Sequence, residues 1–394
     1  MPSQKTNLIL ISLDTLRADV AYHSGMKNFD KLCRRGTCFL NTVASSPLTP
    51  ISHSSVMTGL QPFEHGVRHL LREQISTPKP LLAEVMGSAG YATGAIVSCP
   101  GMNRWYGLDR GFQHYDDEIP RLADGRDPLK VADVKIRGTA LKRAPLVVER
   151  GLKWLKANRH RPFFLFIHFF DAHWPYEAPE QFGAPEANPY EGEVHYVDHY
   201  LGRFLDQVHD WGLEETTLVT AFGDHGEDLA GWYQNDHAGH ELGHPEENGH
   251  GCLLFDATQM VPLVFAHPSL VPVNTQIRRQ VRLVDILPTI ANLLGVQDPV
   301  ERAGSSLTEF FAGDAPDRLA YCETYYREEQ GQVRGGIPGL NAWQAVRIAN
   351  RYKVITDVRS GYTSVYDLVA DANEKQPITF PNALPLEAGV AAVS

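Results

Sequence analysis

The stretch Pro162-Phe163-Phe164-Leu165-Phe166-Ile167-His168-Phe169-Phe170 is the most hydrophobic run in the chain. At nine residues it is too short for a typical helix and suits a strand covered on both faces. Shorter apolar runs repeat the pattern at Asn7 to Leu13, Gly36 to Val43, Tyr91 to Val97 and Thr217 to Phe222. Segments of helical pattern lie between them, at Phe29 to Cys33, Leu81 to Ala89, Val147 to Asn158 and Glu193 to Val208. Strands buried on both faces need helices on both sides, which predicts an α/β/α sandwich around a mixed, mostly parallel sheet. Three of the strands deliver polar residues at their carboxyl ends: Asp14, then Asp171 with His173, then Asp224 with His225. Open α/β sheets bind ligands at that edge.

From about Gly304 the pattern changes to short strands, at Ala320 to Thr324, Ala345 to Ile348, Tyr352 to Thr356 and Ser364 to Asp367. The chain therefore divides into a catalytic α/β unit, 1–303, and a small antiparallel C-terminal subdomain, 304–394. Within the first, 116–146 is charged and aperiodic, an insertion suited to a lid. The 394 residues suffice for a core of this size. A net charge of −11 argues against a nucleic-acid binder with a broad basic face. No run approaches the ~20 apolar residues that span a bilayer, so no membrane partner is expected. The N-terminus enters the first strand without an apolar leader, and a cytoplasmic location is the expectation. Cys33, Cys38, Cys99, Cys252 and Cys322 are scattered, without the spacing of a zinc site or a disulfide framework. Oligomeric state is open, a homo-oligomer included.

The chemistry centres on Ser46-Pro47-Leu48-Thr49-Pro50-Ile51-Ser52-His53 and the helical run to Gly59. Pro50 biases Thr49 away from helical geometry, and Ser52 reads as the N-cap. That would leave helix N–H groups pointing at Thr49, an arrangement that suits an alcohol attacking an anionic ester. The plainer alternative is a strand–turn–helix with a capping threonine.

Taken in order, Leu10-Ile11-Ser12-Leu13-Asp14, Thr49 to Gly59, Phe170-Asp171-Ala172-His173-Trp174-Pro175-Tyr176, Phe222-Gly223-Asp224-His225-Gly226-Glu227 and Tyr366-Asp367-Leu368 resemble the sulfatase and alkaline phosphatase superfamily. The resemblance implies that Asp14, Thr49, Asp224 and His225 hold one divalent ion. Imidazole in place of asparagine shifts the expectation toward Mn²⁺ or Zn²⁺, with Mg²⁺ or Ca²⁺ as alternatives. It further implies that His173 and His250 contact the transferred group or protonate the leaving oxygen, and that His53 and Asn103 lie at the substrate. A second ion would use Asp171, His173 and His250, but the two-metal members of the superfamily usually space this Asp and His four apart rather than two, so the resemblance implies a single ion. His237, His240 and His244 in the preceding loop read equally as solvated polar residues.

Sulfatases carry a convertible cysteine or serine followed by arginine where this chain has Thr49 and His53, and a second aspartate where it has Thr15. Threonine cannot become formylglycine. The expected reaction is therefore hydrolysis of a small anionic phosphate or phosphonate ester through a phospho-threonine. Sulfate-ester hydrolysis without formylglycine, phosphoryl transfer and a silent metal-bound interaction protein are the alternatives.

Overall fold

The computed structural model describes residues 5–70, 72–131, 141–183, 188–238, 249–313, 315–326 and 342–378. An eight-stranded sheet organises most of them, in the order β4-β3-β5-β1-β6-β7-β2-β8. The strands are β1 (Asn7–Leu13), β2 (Gly36–Val43), β3 (Ala92–Ile96), β4 (His114–Asp116), β5 (Phe163–Phe169), β6 (Thr217–Gly223), β7 (Met260–Ala266) and β8 (Thr275–Arg282). β1 pairs in parallel with β5 and β6, and β3 with β4 and β5. β7 is antiparallel to both β6 and β2, while β2 is parallel to β8. Only β7 thus runs against the others, so the predicted mixed, mostly parallel sheet is present.

Every residue of β1 and β5 is buried, and alternation along the strands splits the core in two. Leu8, Leu10, Phe164 and Phe166 pack with helices α3 (Thr49–Thr58), α5 (Leu82–Ser88) and Ile286–Leu293. Ile9, Ile11, Phe163, Leu165 and Ile167 pack on the other face with α1 (Ala18–His23), α2 (Lys27–Arg34), Ala144–Asn158 and Pro189–Asp210. The two faces follow from the period-two geometry of a strand. Gln61 to Val67 contains the short helix α4 (Pro62–His65).

A separate sheet of four antiparallel strands has the order β12-β11-β10-β9. It comprises β9 (Ala320–Thr324), β10 (Trp343–Ile348), β11 (Tyr352–Asp357) and β12 (Thr363–Asp367). Leu307, Phe310 and Ala315, which precede it, join the core of the large sheet. Cys252 to Phe255 pack against the small sheet through Cys322, Ala345, Ile355 and Tyr366. A buried ionic knot fastens the same contact, with Lys353 Nζ 2.8 Å from Asp256 and 2.9 Å from Glu374. Of the insertion, 132–140 lie outside the described residues, as do His240 and His244 of the later loop. No helix among the described residues is long and apolar enough to cross a membrane.

Candidate active site

β3, β5, β1 and β6 are neighbours, and their carboxyl ends build the site. Helix α3 begins at Thr49 itself, with Leu48 as its extended N-cap. Proline is tolerated in a first turn because its missing N–H has no partner there, so Pro50 does not delay the helix. Ser52 is consequently inside the helix, and its hydroxyl donates to the Asp224 carbonyl at 2.6 Å rather than capping. All ten residues of α3 are buried, and Gly59 closes it in the left-handed conformation.

Asp14, Asp224 and His225 converge beside Thr49, with one ligand atom from each of the three within 4.8 Å of the others. The Thr49 hydroxyl lies 3.3 Å from His225 Nε2 and interacts with the Asp14 carboxylate. Asp14 Oδ1 and Asp224 Oδ2 are buried without a hydrogen-bond partner. Burial pushes Asp14 up to about 7, and burial together with the Asp14 charge raises Asp224. Burial disfavours charge on His225 as well, yet the Asp224 and Asp14 carboxylates outweigh it and raise the imidazole. Two buried carboxylates with orphaned oxygens, an imidazole and a hydroxyl are a donor set for a divalent cation. The residues fit the ion that the sequence implies.

His173 and His250 close the outer side. Their rings lie 4.8 Å apart, and His250 is 4.5 Å from the His225 ring. His173 stacks on Phe170, and its Nδ1 meets the Trp174 carbonyl at 2.7 Å. Burial and the neighbouring His250 lower His173 to about 3, and burial with His225 holds His250 well below its ordinary value.

The remaining predicted positions make other contacts, and His53 also borders the site, with Nδ1 3.4 Å from Asp224 Oδ2. His53 is wholly buried one turn behind Thr49, between the Thr49 carbonyl (2.7 Å) and Ser12 Oγ (2.8 Å). Asn103 accepts from the Trp105 amide and donates to Asp117. Asp171 pairs with Arg143 at 3.0 Å and accepts from the Ala144 amide, both through Oδ1. His237 stacks on Phe255 and reaches the Asn373 carbonyl.

Three site residues carry no assigned role in the sequence reading. Glu227 is fully buried, 3.1 Å from His250 Nδ1, and is raised to about 7 by burial. His168 Nε2 is 3.0 Å from Asp14 Oδ2. Cys99, in the loop after β3, forms a second close group with Asp14 and His168. A histidine within the phenylalanine run of β5 and a glutamate two residues after His225 were the available signals.

A cavity of about 420 Å³ opens beside His173, walled by residues 120–123, Leu141, Arg143 and Pro175.

The family model described as Sulfatase matches residues 6–296. Arylsulfatase D of Homo sapiens is 27% identical over 44% of this chain, a match that spans only 29% of that protein. Arylsulfatase G of Rattus norvegicus is 24% identical over 89% of this chain and 75% of its own length. Among solved structures, the phosphonate monoester hydrolase of Agrobacterium radiobacter superposes with a TM-score of 0.73 at 19% identity, covering 99% of this chain and 93% of that one.

Proposed function

The chain belongs to the sulfatase family and is a hydrolase of the sulfate- and phosphate-ester class; within that class we propose that it cleaves phosphate or phosphonate esters with Thr49 as the nucleophile. The observation that carries this reading is the Thr49 hydroxyl, held at the start of a buried helix beside Asp14 and His225.

Asp14, Asp224, His225 and Thr49 would hold one divalent cation, with Mn²⁺ or Zn²⁺ favoured by the imidazole. When bound, that cation lowers the pKa of a hydroxyl it touches and neutralises charge on the transferred group. Thr49 Oγ1 forms a bond to phosphorus as the ester P–O bond breaks, and the threonine proton ends on the leaving alcohol. Water then cleaves the phospho-threonine and returns a proton to Thr49. His173 and His250 face the group in transfer; the bound anion favours their protonated rings, whose Nε2–H groups then donate to its oxygens, with Glu227 fixing the His250 ring. The cavity beside His173 receives the leaving group.

A second reading, sulfate-ester hydrolysis, is favoured by the similarity to arylsulfatases. It asks an unmodified threonine to do what the family's converted residue does. Rates on p-nitrophenyl phosphate, a phosphate diester, a phosphonate monoester and an aryl sulfate, after chelation and metal return, separate the two. Metal-dependent cleavage of a phosphorus ester that disappears in Thr49→Ala supports the proposal. Cleavage of sulfate alone, or near-normal turnover by Thr49→Ala, overturns it.

A further inference from the structure

Asp14 and Asp224 share one pattern: each carboxylate has one oxygen held by N–H donors and one without a hydrogen-bond partner. Asp224 Oδ1 accepts from the backbone amides of Thr15 at 3.1 Å and His225 at 2.8 Å, which leaves Oδ2 open. His53 Nδ1, 3.4 Å from that oxygen, is committed to the Thr49 carbonyl at 2.7 Å. On Asp14 the donor to Oδ2 is a side chain, His168 Nε2 at 3.0 Å, and Oδ1 is the open oxygen.

The far side of the His168 ring fixes its tautomer. The Ser98 amide lies 3.4 Å from Nδ1 and can only donate, so Nδ1 accepts and the proton sits on Nε2, toward Asp14. The Ser98 hydroxyl, 3.0 Å from the same nitrogen, can donate to it as well. A ring protonated in this way is a donor to Asp14 and has no Nε2 lone pair to offer a cation. His168 is wholly buried on β5, and the His53 ring meets it edge-on at 5.0 Å, which holds its plane.

We infer that His168 is a positioning residue that makes Asp14 a one-oxygen ligand and thereby sets which cation the site accepts. The inference rests on the reading of Asp14, Thr49, Asp224 and His225 as a cation site. With Asp14 Oδ2 and Asp224 Oδ1 engaged by N–H groups, and His225 Nδ1 turned to the Gly226 carbonyl, the four residues offer three oxygens and one imidazole nitrogen. Zn²⁺ is satisfied by about four mixed nitrogen and oxygen donors. Ca²⁺ draws about six to eight oxygens and readily takes both from one carboxylate. Holding Oδ2 of Asp14 away therefore disfavours Ca²⁺, and releasing it relaxes the choice.

The test reads cation affinity, so it does not depend on which ester is cleaved. Dissociation constants for Zn²⁺ and Ca²⁺ are measured by calorimetric titration of the chelated full-length protein. His168→Asn keeps an amide at the Ser98 end of the ring but is too short to reach Asp14; His168→Gln returns an N–H near the place of Nε2. His168→Asn should weaken Zn²⁺ by about 10- to 100-fold and Ca²⁺ much less, so the preference for Zn²⁺ falls by about 10-fold or more. His168→Gln should keep the preference within about threefold of native. An unchanged preference in folded His168→Asn overturns the inference, as does an equal fall in His168→Gln, which would mark a merely structural role. Tighter binding of Ca²⁺ than of Zn²⁺ by the native protein overturns it without any variant. Cation binding that Asp224→Asn leaves intact lies elsewhere and removes the inference together with the site. Failure of the Thr49 mechanism alone would show as ester cleavage surviving Thr49→Ala, with the His168-dependent preference intact.

Discussion

Removing the cation should make the protein progressively less stable as pH rises, because Asp14 then has to ionise in a buried site without the cation's charge to balance it. Burial lifts this carboxyl from 3.8 to about 7. A carboxyl raised in the folded state keeps its proton there after the unfolded chain has released it. Its stabilising effect therefore declines as pH climbs from about 4 and is spent by about pH 7. At about 1.4 kcal/mol for each tenfold change in proton affinity, Asp14 alone accounts for roughly 4 kcal/mol, of which about 3 kcal/mol falls between about pH 5 and about pH 8. Unfolding entropy of about 2.1 cal/mol/K per residue, over this length of chain, converts that to a Tm change of about 3 °C. Asp224, raised in the same direction, adds to it. Glu227 and Asp171, both raised to about 7 by burial, titrate in the loaded and chelated forms alike. The informative quantity is therefore the gap in Tm between the two forms, measured by calorimetry from about pH 5 to about pH 8. The gap should widen with pH by about 3 °C or more. A gap that stays constant or narrows would refute the assignment of Asp14 as the buried, cation-balanced carboxylate.

Glu227→Gln should lower kcat by about 10- to 100-fold with little change in KM, since it removes the partner that orients His250; initial rates on the best phosphorus ester measure this. Lys353→Met leaves Asp256 and Glu374 as buried carboxylates without their shared cation. It should cost about 3–5 kcal/mol, read by denaturant unfolding. Gly94→Ala would place a Cβ 2.3 Å from the Trp154 ring; overpacking of about 1–3 kcal/mol is expected, with Trp154 fluorescence reporting its displacement.

The elements that were legible are those whose burial is uniform. β1, β5 and β6 are buried along their whole length, so their sequences are continuous apolar runs with few competing readings. β9 to β12 match the expected strands within two residues because short alternating segments bounded by turns have little else to become. β8 escaped notice since Thr275–Arg282 lies at the sheet edge with most positions exposed or half-buried, and its arginines mask the alternation. Asp14, Thr49, Asp224 and His225 were grouped by the resemblance, and each lies at the end or start of an element, which fixes its location. Loop residues have no such constraint. Asn103 lies in the loop region after β3, and its side chain serves Trp105 and Asp117. Glu227, His168 and Cys99 acquire meaning only through contacts made across the fold.

The ionic knot of Asp256, Lys353 and Glu374 also bears on when the enzyme becomes competent. His250 lies on the segment that this knot and the small sheet hold in place: Thr324 donates to the Gly251 carbonyl, and Glu374 accepts from the Asp256 amide. Asp14, Thr49, Asp224 and His225 are all synthesised by residue 225, yet Thr324, Lys353 and Glu374, which anchor the His250 segment, emerge from the ribosome about a hundred residues later or more. A nascent chain could thus assemble the sheet and bring Asp14, Asp224 and His225 together while one wall of the cleft is still absent. Hydrolytic competence would then arrive abruptly, near the end of translation, with the fastening of that wall.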